Sequence, residues 1–264
     1  MIILDMNQIT LANVMMNFHM NKSDELEEDM VRHMILNSIR LYNVKFGEEY
    51  GEMVIACDDK NYWRKDIFPY YKAHRKADRE SSTLDWNHIF SILNTIRDEL
   101  KETFPYRVIQ IDRAEADDII GTLCHRFGKT LKSENDPYYT NILIVSGDKD
   151  FAQLQKYANV EQYSTVTKKW IRISNPESFL REHIMRGDRG DGVPNFLSAD
   201  NVIVTGTRQK PLASKKIEKW IGLDPKDFCN EVMLRNYKRN ESLVNLALIP
   251  SAIVNQINEK YDNY

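Results

Sequence analysis

The sequence predicts an α/β fold, with a mostly parallel central sheet flanked by helices and a smaller helical lobe after it. Three observations carry this. Short apolar runs rich in Ile and Val recur at 2–5, 53–57, 107–111 and 142–146. Segments with helical spacing separate them, the alternation that builds parallel sheets from strand-helix-strand units. Beyond Pro176 the strand signal fades into helical patches joined by a polar, basic loop at 195–211.

Each element has a local reason. The four runs are nearly free of polar residues, as strands covered on both faces should be. Between the first two, Val31, Met34, Ile35, Ile39 and Tyr42 fall at 3.6-residue spacing and predict one inward helix face. A second such face, made by Ile89, Leu93, Ile96 and Leu100, predicts a helix over 84–101. Residues 160–173 read as a β-hairpin turning at 164–169, and 249–264 as a closing helix. This pattern divides the chain into a sheet domain at 1–180 and a helical lobe at 181–264.

Composition excludes several classes. With 42% hydrophobic and 28% charged residues, the chain is neither a disordered nor a membrane sequence. Its opening run MIILDM is short, lacks a basic flank and contains Asp5, so it reads as a buried strand and not as a signal peptide. No stretch is apolar enough to span a bilayer. Cys57, Cys124 and Cys229 are odd in number and never form a C-x-x-C pair. That argues against a disulfide framework and a thiolate zinc site, and fits a reducing cytoplasm. A net charge of −3 does not mark a nucleic-acid binder, but the distribution does: between Lys60 and Arg79 there are seven Lys/Arg against two Asp.

The chemistry is carried by carboxylates. Open parallel sheets present functional groups beyond the carboxyl ends of their strands, and acidic residues stand at each such place. Asp5 ends the first strand. Asp58 and Asp59 follow the second, Glu115, Asp117 and Asp118 the third, and Asp148 and Asp150 the fourth. Asp188 and Asp191 follow in MRGDRGDGVPN. Gathered unpaired, such groups repel and resist desolvation. Divalent cations remove that objection. Mg²⁺ takes oxygen ligands and keeps water, and two ions about 3.5 to 4 Å apart can activate a water and stabilise the leaving oxygen of a phosphodiester. His is nearly absent from these motifs, which disfavours zinc and a Ser-His-Asp hydrolase. Any one acid could instead be structural, as Asp150 or Asp118 would be in stabilising a helix start; Asp59 and Asp118, each next to a stronger candidate, are the readiest to be so. Acids at four consecutive strand ends and in one later loop point to a metal-dependent phosphodiesterase.

The segments IDRAEADDIIGTL, SGDKDFAQL and RGDRGDGVPN resemble, in order and spacing, the signatures of the 5′ nuclease superfamily of flap endonucleases and polymerase-associated 5′ exonucleases. Within it the likeness is to the RNase H branch of T-even bacteriophages, helped by YWRKDIFPYYKAHRKADRESSTLDW and VEQYSTVTKKWIRI. It covers most of the chain up to Asp191. The resemblance implies a PIN-like sheet, a helical arch at about 60–85 and a variant helix-hairpin-helix element in the C-terminal lobe. By resemblance, Asp5, Asp58, Glu115, Asp117 and Asp148 surround one Mg²⁺ and Asp150, Asp188 and Asp191 a second, with Asp118 beside them and Mn²⁺ as a substitute. It also implies that Lys72 and Arg75, with Arg64 nearby, contact the scissile phosphate, a sensible use of cations where charge develops. Lys60, Lys65, Lys76 and Arg79 are candidate DNA contacts beside Tyr62, Trp63, Tyr70 and Tyr71, since rings interleaved with cations suit an unpaired strand. Lys210, Lys215, Lys216 and Lys219 are candidate phosphate contacts beyond the arch.

The family's duplex-gripping hairpin is glycine-rich and often holds K⁺. Here the chain runs NFLSADNVIVTGTRQKPLASKKIEKW, a departure that leaves the potassium site an open point for the structure. Expected activities are 5′-3′ exonuclease, RNase H and flap endonuclease on DNA and RNA-DNA duplexes with free 5′ ends or flaps, removing primers during lagging-strand replication. A sliding clamp and a single-strand DNA-binding protein are partners by resemblance, with no membrane and a monomeric chain expected. Two other readings fit part of the sequence: a PIN-type ribonuclease acting on single-stranded RNA, which does not need the basic segment, and a non-catalytic DNA-structure-binding replication accessory, which does not need the acids.

Overall fold

Three short segments of the chain, IILD, MVIAC and ILIV, are buried along their whole length, and a fourth, RVIQ, is buried at its centre. Such segments satisfy their backbone polar groups only by pairing with one another. The computed structural model describes residues 1–21, 26–131 and 139–264, with the side chains of 20 and 21 outside the description. In chain order it begins β1 (Ile2–Asp5), α1 (Met6–Asn21), α2 (Glu28–Tyr50), β2 (Met53–Cys57), α3 (Arg64–Ile67) and α4 (His74–Glu80). There follow α5 (Trp86–Thr103), β3 (Arg107–Gln110), α6 (Ala116–Phe127), β4 (Ile142–Val145), β5 (Val160–Ser164) and β6 (Lys169–Ile171). The chain closes with α7 (Pro176–Arg186), α8 (Ser214–Trp220), α9 (Pro225–Phe228), α10 (Glu231–Val244) and α11 (Ser251–Asp262). A 3₁₀ helix, Lys149–Lys156, follows β4.

The six strands form one sheet in the order β3-β2-β1-β4-β5-β6. All neighbours are parallel except the β5-β6 hairpin. Alternate residues of the central strands, Ile2 and Leu4 in β1, Ile55 and Cys57 in β2, and Leu143 and Val145 in β4, share one core with the apolar faces of α1, α2 and α5. α6 and α11 pack on each other and against β2 and β3 respectively. At the β3 edge, the Tyr264 hydroxyl donates to the Val108 carbonyl at 2.6 Å and the Arg107 guanidinium lies 4.5 Å from the Tyr261 ring.

The strands agree with the sequence reading to within one residue, and α2, α5, the hairpin and α11 appear where periodicity placed them. In α5 it is Ile92 that is buried, with Leu93 half-buried beside it. α1 had no counterpart in the sequence reading. Its apolar residues are spread around the helix and its buried positions include Thr10 and Asn17, so no apolar stripe advertises it.

The chain divides into two compact units. One comprises Met1–Asn61, Thr83–Arg172 and Pro250–Tyr264; the other comprises Tyr62–Ser82 and Ile173–Ile249. The first holds the sheet, and the basic segment from Tyr62 onward belongs to the second, with Lys60 in the first. The sequence reading drew its boundary at 180/181, with the basic segment in the first domain and the last helix in the second. Unit 2 has its own core, including Phe68, Tyr71, Ile184, Phe196, Tyr237 and Leu243. Among the described residues no helix is long and apolar enough to cross a membrane.

All three cysteines are free. Burial pushes the Cys57 thiol up to about 12 and raises Cys124 and Cys229 as well; Cys229 alone is not fully buried. A thiol reagent at pH 8 should therefore label Cys229 first, and Cys57 and Cys124 only on unfolding. Labelling of all three in the folded protein would contradict the packing described.

Candidate active site

The acidic edge is built within unit 1 from the carboxyl ends of β1, β2 and β4 and the start of α6. Parallel pairing aligns these ends: Asp5 lies opposite Ala56, and Leu4 opposite Val145. Asp5 is almost fully buried. It accepts the Gln8 backbone N–H at 3.2 Å through Oδ1 and the Ser146 hydroxyl at 3.0 Å through Oδ2, so it begins α1 and is tied to the end of β4. Asp58 Oδ1 accepts the Ala116 N–H at 2.7 Å, and Gln110 holds the Asp58 carbonyl at 3.1 Å. Those two bonds fix the β2 end against the start of α6.

Beyond β4 the chain makes a tight polar turn. Ser146 Oγ accepts the Asp148 N–H at 3.1 Å, and Asp148 Oδ1 accepts the Asp150 N–H at 3.0 Å. Asp148 thus caps the 3₁₀ helix in which Asp150 lies buried. Gln162 of β5 donates to the carbonyls of Ser146 and Asp148, and Gln8 accepts the Gly147 N–H and the Thr165 hydroxyl. A Cβ on Gly147 would lie 3.0 Å from Ser164 Oγ, tighter than ordinary packing. Ser146, Gln8 and Gln162 were not singled out from sequence. Being polar yet within apolar surroundings, buried Ser146 and Gln162 need partners, and those partners are the acidic loop.

Glu115 and Asp118 begin α6 by a reciprocal capping box: the Glu115 side chain accepts the Asp118 N–H, and Asp118 Oδ2 accepts the Glu115 N–H at 2.9 Å. Asp118 is fully buried there, which serves the helix start. Asp117, one residue earlier, is half-buried. Asp59 accepts the N–H groups of Asn61 and Arg113 and bonds the Ala114 carbonyl through its own N–H, tying two loops together, the structural role weighed for it above. Asp5, Asp58, Glu115, Asp117, Asp148 and Asp150 are therefore brought to one sheet edge. The donors named here are neutral and orient the oxygens, and an all-oxygen set with Asp5, Glu115 and Asp150 buried and Asp58, Asp117 and Asp148 half-buried suits a hard divalent cation.

Unit 2 gathers the second group. The segment 187–192 turns back on itself, with Val193 N–H bonded to the Asp188 carbonyl at 2.7 Å and Asp191 N–H to Asp188 Oδ1 at 3.2 Å. His183, missed in the sequence, is buried with Nε2 3.8 Å from Asp188 Oδ2. Asp191 accepts the Tyr71 hydroxyl at 2.9 Å and the Arg75 guanidinium at 2.7 Å, with Lys72 Nζ at 3.6 Å. Its carbonyl accepts the Lys72 N–H at 2.7 Å, and Lys72 has a left-handed backbone, φ 54°. Lys72 and Arg75 therefore share one carboxylate. Lys72 Nζ also lies over the rings of Tyr62 and Tyr71.

Arg64 is placed differently from the expectation. It is buried, donates to the Leu243 carbonyl at 2.8 Å and lies over the Trp63 ring at 4.6 Å, so it anchors α3 to the end of α10. The remaining basic candidates, Lys65, Lys76, Lys210, Lys215 and Lys216 in unit 2 and Lys60 in unit 1, are exposed, and Arg79 is half-buried.

Comparisons with known proteins agree with one another. The family described as 5′-3′ exonuclease, N-terminal resolvase-like domain, matches residues 2–183. Ribonuclease H of Enterobacteria phage T4 is 35% identical over 273 residues, covering 99% of this chain and 86% of that protein. Flap endonuclease Xni of Shewanella sp. (strain MR-4) is 30% identical over 151 residues, 54% of this chain and 51% of the relative. Among solved structures, the phage T5 D15 protein co-crystallised with metal ions superposes with a TM-score of 0.63 at 15% identity, covering 99% of this chain and 98% of that one. The T5 D15 flap endonuclease in a pseudo-enzyme-product complex with DNA and metal ions does so at 0.64 and 16%, covering 99% and 97%. These structural likenesses establish the fold.

One residue tests the turn that holds Asp188. Gly187 has φ 68°, and a Cβ there would lie 2.4 Å from the Val193 carbonyl oxygen and 2.5 Å from that of Pro194. Gly187→Ala should destabilise the protein by about 1–3 kcal/mol from the positive-φ, glycine-restricted backbone alone, read as a lower denaturation midpoint. An unchanged midpoint would show that the turn is not built this way.

Proposed function

Since the chain belongs to the 5′-3′ exonuclease family, whose members are structure-specific 5′ nucleases, we propose that it removes RNA primers and adjoining DNA from lagging-strand fragments by Mg²⁺-dependent phosphodiester hydrolysis. The chain is a hydrolytic nuclease. The observation that carries the metal reading is the edge itself: carboxylates from three strand ends and one helix start, held by neutral hydrogen bonds, in a sheet whose fold matches a protein co-crystallised with metal ions.

In this reading Asp5, Asp58, Glu115, Asp117, Asp148 and Asp150 hold two divalent ions, with Mn²⁺ able to replace Mg²⁺. Asp188 and Asp191 are assigned to the same role by family resemblance. Such ions, when bound, lower the pKa of the attacking water and stabilise the leaving oxygen. Asp118 keeps the α6 start rigid, so Glu115 and Asp117 stay in place. Lys72 and Arg75 neutralise charge on the phosphate under attack, and Asp191 holds the two cations together until it is engaged otherwise. Arg64 supports this group through the core. Lys60, Lys65, Lys76, Arg79, Lys210, Lys215 and Lys216 supply phosphate contacts, which carry affinity without sequence readout. Substrates are DNA and RNA-DNA duplexes with 5′ ends or flaps. A sliding clamp and a single-strand DNA-binding protein are proposed partners, and the chain is proposed to work as a monomer in the cytoplasm.

A 5′-labelled flap substrate titrated with Mg²⁺ separates the readings. Cleavage should appear with the metal and vanish on chelation; cleavage confined to unstructured RNA, or binding without cleavage, would refute the proposal. Asp148→Asn should abolish cleavage while flap binding persists. Lys72→Ala should slow single turnover by about 100-fold or more, the scale of lost charge stabilisation at a reacting group, with duplex affinity little changed. A large affinity loss at an unchanged single-turnover rate would remove Lys72 from the chemistry.

A further inference from the structure

The segment from Pro194 to Lys210 stands where the family's glycine-rich, ion-holding hairpin is expected, and its carbonyls at Pro194, Phe196, Ser198 and Lys210 are already engaged by side chains. The amide of Asn236 donates to the carbonyls of Phe196 and Ser198, both at 3.0 Å. The amide of Asn240 donates to those of Ile184 at 2.8 Å and Pro194 at 2.9 Å. A third donor, the Arg239 guanidinium, reaches the Pro194 carbonyl at 3.2 Å. Lys210 contributes its carbonyl to the amide of Asn195, and its N–H to Ser198 Oγ, closing the neck of the loop. The amide nitrogens of Asn236 and Asn240 use both their hydrogens, and their oxygens accept from Arg235 and Arg239 respectively. Both guanidiniums return to the loop by pairing with Asp200. Asn236, Arg239 and Asn240 are all buried on α10.

A cation held by a loop needs carbonyl oxygens turned towards it in place of its hydration shell. Here N–H donors occupy the oxygens of Pro194, Phe196, Ser198 and Lys210, two donors meeting on Pro194, and two guanidiniums against the single Asp200 carboxylate leave a net positive charge beside them, which disfavours a further cation. The residues present therefore do not fit a potassium ion. We infer that the Asn236–Arg239–Asn240 ladder takes the ion's place, and that this protein grips duplex DNA without a monovalent cofactor. The inference rests on the proposed duplex-binding role of the helical unit. What it adds is that the loop is organised before DNA arrives, by side chains rather than by a solute.

The test compares K⁺, Na⁺ and tetramethylammonium at one ionic strength, so that general phosphate screening is constant. Duplex affinity of the full chain should agree across the three within about twofold, because only counterion release remains and it depends on salt concentration. A larger gain confined to K⁺ would overturn the inference. Thermal unfolding without DNA in the same salts is the second measurement: equal Tm values support the ladder, and a rise specific to K⁺ refutes it. Should duplex binding be absent in every salt, the duplex reading fails and the melting comparison still decides this one. Asn236→Ala, which strips two carbonyls of their donor, should lower Tm and weaken duplex binding equally in all three salts. Unchanged Tm and affinity in that variant would show that the ladder does not hold the loop.

Discussion

The register of β1 between β2 and β4 is the constraint on which the acidic edge depends. Side chains alternate across a sheet, so a slip of one residue would send Asp5 to the opposite face and bury its repulsive charge among aliphatic neighbours. The register is defended on both sides. Ile2, Ile3 and Leu4 are wholly buried, and the Ser146 hydroxyl joins Asp5 to the turn carrying Asp148. One short hydroxyl side chain thus couples the central strand to its neighbour where the carboxylates meet. Because it is neutral it orients them without removing their charge, which a metal site requires.

The helical unit solves a different problem with different means. Its loop has few regular backbone partners, and polar groups left unsatisfied in a buried segment cost about 1–3 kcal/mol each. Asn and Arg side chains of a single helix meet that demand, four residues apart on one face. Burial works against ionisation of Asp200, yet the guanidiniums of Arg235 and Arg239 prevail and hold its carboxyl below the usual range. The same unit holds the Lys72, Arg75 and Asp191 cluster, where a strained left-handed backbone at Lys72 is fixed by the Asp191 carbonyl. Strain of this kind persists where surrounding structure over-determines it.

What the sequence made legible follows from which interactions are local. Strand runs such as MVIAC announce themselves as unbroken apolar stretches, and the stripe Val31, Ile35, Ile39 because burial repeats at the helical period. The acids at strand ends were legible because the topology of parallel sheets sends those ends to one place. The burial of Arg64 was not legible because a basic residue among basic neighbours carries no local sign of it, and its bond to Leu243 spans 179 positions. The helix α1 was invisible because its buried positions mix Thr10 and Asn17 with Ile9 and Val14. Nor could the α10 ladder be seen: Asn and Arg at helical spacing read as a solvated face, and only the carbonyls they meet give them meaning.

The return of the chain's last helix to the sheet unit bears on how the molecule is made. α11 packs on α6, its Tyr261 hydroxyl donates to Glu52 at 2.7 Å, and Tyr264 covers the β3 edge. The sheet unit is therefore assembled from three stretches separated by two excursions. Pairings this distant in sequence close slowly, since chain entropy is lost before contacts return it. The β3 edge and the residues that cover it are distant in sequence, so until they meet that strand is open to edge-to-edge association.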